Sequence, residues 1–106
     1  MTSDNSDKET LLRLVAKENE ARLDELRGDP TTSQAHWRAV AREWRSYAAE
    51  EAEQDRKALG YLSAALAGLE CGDTEFVKDC VRRGLRCSYV PVFVGVELRD
   101  VLKRIP

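Results

Sequence analysis

Long apolar runs are missing from this chain of 106 residues. Nothing in it approaches the roughly eighteen consecutive apolar residues that a membrane-spanning helix needs, so no segment reads as a span. Histidine occurs once, at His36. A lone imidazole leaves no clustered ligand set for a metal, and only one candidate base for any serine or cysteine nucleophile. The glycines are scattered. None builds the glycine-rich loop that cradles phosphate, or the glycine-flanked turn that presents a hydrolase nucleophile. Cysteine is scarce and odd in number: Cys71, Cys80 and Cys87 stand nine and seven residues apart. Zinc sites pair their ligands roughly two to four residues apart, so these thiols read as small residues of a protein in a reducing cytoplasm. The N-terminus is polar and acidic, so no secretory signal peptide is expected. No catalytic residue, metal or cofactor is expected, and the chain reads as a non-enzyme.

What is present is helical periodicity. Residues 31–70 contain no proline. Their apolar positions run through Trp37, Val40, Ala41, Trp44, Tyr47 and Ala48, then Ala58, Leu59, Leu62, Ala65, Leu66 and Leu69. That is a period of about 3.6 residues. One helix of this length would extend about 60 Å, too long for a domain this small. The polar stretch between the two apolar sets reads as a bend near Asp55 to Gly60 or as an exposed span. Two helices, or one sharply bent helix, are expected.

The flanking segments follow similar rules. Residues 1–5 read as a disordered tail, and 6–106 as one helical domain. Ser6-Asp7-Lys8-Glu9 has the form of a capping box. The helix it opens carries Leu11, Leu12, Val15, Leu23 and Leu26 and stops at Gly28. Asp29-Pro30 makes a turn, and Thr31 with Gln34 repeats the capping spacing. Gly72-Asp73 is a second tight link. After it, Phe76, Val77, Cys80, Val81, Gly84 and Leu85 share an inner face. The β-branched run from Val92 to Val96 suits a strand, yet no second strand exists to pair with it. With Pro91 at a first turn, a helix fits better, with Val94, Leu98, Val101, Leu102 and Ile105 inward. The expected class is all-α: a small bundle of four to five helices with a long or bent central helix and a C-terminal helical hairpin.

From Ala64 to Ser88, small Ala65, the Gly72-Asp73 turn, and then Val77, Gly84 and Leu85 resemble one unit of a tetratricopeptide-type repeat. The resemblance covers about a quarter of the chain. It implies a helical hairpin there and nothing further, because no 34-residue period runs through the rest. Cys80, Gly84, Leu85, Val90 and Phe93 also match the spacing of a DNA-reading helix-turn-helix. Pro91 would then fall inside the recognition helix, whose exposed positions would be valines rather than base-readers.

Charge is unevenly spread. The net charge is −3 over residues 1–30, +2 over 31–48, −5 over 49–75 and +4 over 76–106. One reading is internal complementarity between the last two segments. The other is a basic face of Lys78, Arg82, Arg83, Arg86, Arg99, Lys103 and Arg104 that meets phosphate or an acidic protein. The total of −2 disfavours general nucleic-acid affinity. The expected function is a small interaction module, such as an adaptor, inhibitor or regulator, binding another protein of unspecified identity. Trp37, Trp44 and Tyr47 are its candidate contact residues, serving either as core or as interface, and a homodimer through their helix is expected. A nucleic-acid-binding regulator using the basic third is the disfavoured alternative.

Overall fold

Two Gly-Asp pairs set the first and third corners of the chain. In the computed structural model, which describes residues 2–106 with side chains from residue 8 onward, Gly28 and Gly72 have positive φ. Each ends a helix through the same pair of backbone bonds: Gly28 N to Glu25 O with Asp29 N to Asp24 O, and Gly72 N to Leu69 O with Asp73 N to Gly68 O. The following aspartate then caps the next helix. Asp29 accepts from Thr32 N at 3.1 Å, and Asp73 from Phe76 N at 3.2 Å. Five helices result: α1 (Thr2–Leu26), α2 (Pro30–Glu50), α3 (Gln54–Glu70), α4 (Thr74–Leu85) and α5 (Val92–Lys103). No strand occurs among the described residues. The all-α expectation therefore holds.

Several boundaries differ from expectation. α1 begins at Thr2, so residues 2–5 of the expected tail are helical, Ser6 lies within α1, and Met1 is outside the described residues. The cap of α2 is Asp29 rather than Thr31, since a carboxylate followed by proline at the first helical position is the stronger start signal. The 31–70 stretch is two helices, as expected, but it breaks at 51–53, where Glu51 and Glu53 are extended. Gly60, expected near the bend, sits inside α3. A Cβ there would stand 2.9 Å from Ala48 Cβ, so Gly60 permits close approach of α2 and α3. Residues 92–96 are helical, as the missing partner strand implied.

α3 is the centre of the bundle. It packs against α2, α4 and α5, burying Ala58, Tyr61, Leu62, Ala64, Ala65 and Ala67. Its second close approach is Gly68, where a Cβ would lie 2.8 Å from Val77 Cγ2. α3 and α4 form the hairpin that the repeat resemblance implied. α5 closes the far side with Val94, Leu98 and Val101 fully buried, while Leu102 stays exposed. The molecule measures 39 × 37 × 19 Å. Helices pack roughly 8–10 Å apart, so the thin dimension holds two layers.

Candidate functional site

Trp37 and Trp44 are seven residues apart on α2, so both indoles leave one face, with Tyr47 a turn beyond. Proposed from sequence as core or interface, the tryptophans are core: Trp37 is 2% exposed and Trp44 8%. Tyr47 is half-buried and meets Trp44 edge to face, ring centroids 5.8 Å apart. The cover is α1, from within the same chain. A buried indole N–H needs an acceptor, and α1 supplies two. Trp37 Nε1 donates to Glu25 Oε1, and Trp44 Nε1 to Glu18 Oε1 at 2.6 Å. Arg22 lies over the Trp37 ring, 5.1 Å from its centroid.

Two close polar contacts reinforce this seam, the Lys17–Glu43 ion pair and the Asp24 carboxylate against the His36 imidazole. His36 Nδ1 and Asp24 Oδ2 are buried against each other and find no further hydrogen-bond partner among the described residues. His36 is thus tied to α1 through Asp24, though its side chain remains partly exposed. Sequence reasoning missed Glu18 and Glu25. Their seven-residue spacing, matching that of the tryptophans, was the available signal.

α1 rests on α2 and barely meets α3. Between α1 and α3 a groove therefore opens, floored by the aromatic residues of α2. One end is a cavity of about 580 Å³ walled by Leu11, Trp44, Tyr47 and Leu59, with Lys8 and Arg56 beside them. The other, about 250 Å³, is walled by Trp37, Leu66, Leu69, Arg22, Glu70 and Arg104. Ser63 lines both, so they run end to end along α3. A hollow of about 630 Å³ on the other flank of α1 has a mixed lining that includes charged residues of both signs, among them Arg13, Arg42, Glu43 and Glu50.

The basic residues of the last third do not all act as one face. Lys78, Arg82, Arg83 and Arg86 lie on the exposed side of α4. Arg83 is held by Asp79 at 3.0 Å, and Lys78 is 3.8 Å from Glu75. Arg99 and Lys103 follow the exposed side of α5, with Lys103 3.7 Å from Asp100. Arg104, also exposed, instead lines the narrower end of the groove, which Glu70 lines as well. A second apolar surface, unforeseen from sequence, comprises exposed Tyr89, Val92, Phe93 and Val96 at the start of α5.

Chemically reactive groups are muted. Burial pushes the Cys80 thiol up to about 12, and Cys71 is buried as well. All three cysteines are unpaired. Among the described residues no cluster of three or more histidine, cysteine, aspartate or glutamate side chains could hold a metal ion, and no helix is long and apolar enough to cross a membrane. Comparison with protein-family models, curated proteins and solved structures finds no match for this chain.

Proposed function

We propose that this chain is a protein-interaction module without chemistry of its own, an adaptor, inhibitor or regulator that takes an acidic amphipathic helix into the α1–α3 groove. The groove itself carries the reading. It offers an aromatic floor, exposed Leu59 and Leu66 on its α3 wall, and Lys8 and Arg56 at the wider end. Helix-in-groove recognition uses this combination: apolar anchors seat in the floor and opposite charges on the rim fix orientation. On this reading Trp44 and Tyr47 contribute through the groove floor rather than as a protruding stripe. Nucleic acid is disfavoured as a partner, because Arg83 is committed to Asp79 and Arg104 lines the groove rather than the face formed by the other basic residues. The three unpaired thiols fit a cytoplasmic setting.

A panel of amphipathic helical peptides of graded net charge tests this, with tryptophan emission as the signal. Acidic peptides are expected to bind and perturb that emission. Leu59→Glu, at an exposed position, should abolish binding without lowering thermal stability, whereas Phe93→Glu on α5 should leave it intact. The opposite pattern would move the partner site to α5 and overturn the groove reading.

A further inference from the structure

The outer side of α1 carries an apolar stripe that nothing among the described residues covers. Leu12 is 70% exposed, Val15 47%, Leu23 47% and Leu26 84%. At 100° per residue these four and Asn19 share one side of the helix, opposite Leu14 and Ala21, which are buried against the core. They are also distinct from Leu11, Glu18 and Arg22, which face the groove. The stripe is symmetric in sequence: Leu12 and Leu26 lie seven residues either side of Asn19, and Val15 and Leu23 four either side.

We propose that this face pairs with its own copy, α1 antiparallel to α1, about a two-fold axis through Asn19. A two-fold interface must be self-complementary, each residue i meeting j as j meets i. The symmetric spacing meets that condition, setting Leu12 against Leu26 of the second copy and Val15 against its Leu23. The one polar residue in the stripe meets its own equivalent. An asparagine amide both donates and accepts, so two of them satisfy one another across an axis. Charge agrees: Glu9 and Arg27, exposed on the same flank of the helix and nearly equidistant from Asn19, come opposite each other twice. The seam is about 21 Å long. That falls short of the roughly 800 Å² per partner of a standard interface, so the dimer is a weak, concentration-dependent one. This inference does not rest on the groove reading.

Sedimentation velocity from low micromolar to near-millimolar concentration is expected to show reversible dimerisation. Leu12→Glu with Leu23→Glu should weaken association by more than about tenfold, with the circular dichroism spectrum unchanged because both positions are exposed. Asn19→Asp should do likewise by setting two carboxylates across the axis. Cysteine cross-linking in a Cys87→Ser background gives the direction. Leu12→Cys should link to Leu26→Cys in a mixed sample and not to itself. A monomer at every concentration, a dimer indifferent to the Leu12 and Leu23 changes, or self-linking of Leu12→Cys would each overturn the proposal.

Discussion

α2 and α3 are neighbours that hold the chain together by different means. α2 receives α1 across a polar seam in which two indoles and four charged or titratable side chains find specific partners. α3 receives α4 and α5 through alanine, glycine and valine, with backbones close enough that a Cβ at Gly68 or Gly84 would come within about 3.0 Å of a facing side chain. Polar partners gain little net free energy over water, roughly 0.5–1.5 kcal/mol per hydrogen bond, but they fix orientation. Close apolar packing gains more and fixes less. The α3–α5 side should therefore hold most of the stability, and the α1 seam most of the specificity.

The largest effect that can break this comparison is a deletion on the dry side. Leu98, fully buried against Gly84, should cost about 3 kcal/mol on Leu98→Ala, measured by urea unfolding. Removing the charge from both indole acceptors, Glu18→Gln with Glu25→Gln, should cost about 1 kcal/mol, felt as faster hydrogen exchange in α1 before α4. If that double substitution costs as much as Leu98→Ala, the division of labour is wrong.

The Gly-Asp corners, which serve both sides, come next. Asp73→Ala should cost about 1 kcal/mol. At the other corner, hydrogen bonds from Thr32 hold the Asp29 carboxyl below its ordinary value. Its stabilising contribution is present above the unfolded carboxylate pKa of about 3.9 and is lost as pH falls through the lower folded value. Acid titration of Asp29→Asn should lack that component. Salt should have the smallest effect: it loosens the exposed Lys17–Glu43 pair, shifting tryptophan emission, while alkylation of buried Cys80 stays unchanged.

The same division explains what the sequence revealed. Periodicity located the helical segments, expected as four to five helices, because burial imposes its period directly on the residue pattern, as at Val94, Leu98 and Val101. The break at 51–53 was misplaced because Gly60 looked like a hinge, while its role depends on Ala48, which only the fold brings near. The tryptophans were visible, but their burial was not, because a polar partner helix leaves little apolar trace. Among its described residues, α1 buries only Leu14 and Ala21 as full apolar contacts. The groove was invisible for a related reason: it exists where α1 fails to meet α3, and no single segment records that gap.

The heptad spacing of the seam has a consequence for folding errors. Glu18 and Glu25 are interchangeable in spacing with respect to Trp37 and Trp44, so a slip of α1 by seven residues would still offer one indole a carboxylate. The neighbouring polar contacts remove that ambiguity because the carboxylate changes sides: Lys17 meets Glu43, but Asp24 meets His36. A slip one way sets Lys17 on His36, a slip the other way sets Asp24 on Glu43, and neither is an attractive pair. The indoles thus act as a coarse scale and the alternating polar contacts as its vernier, together admitting α1 in a single alignment.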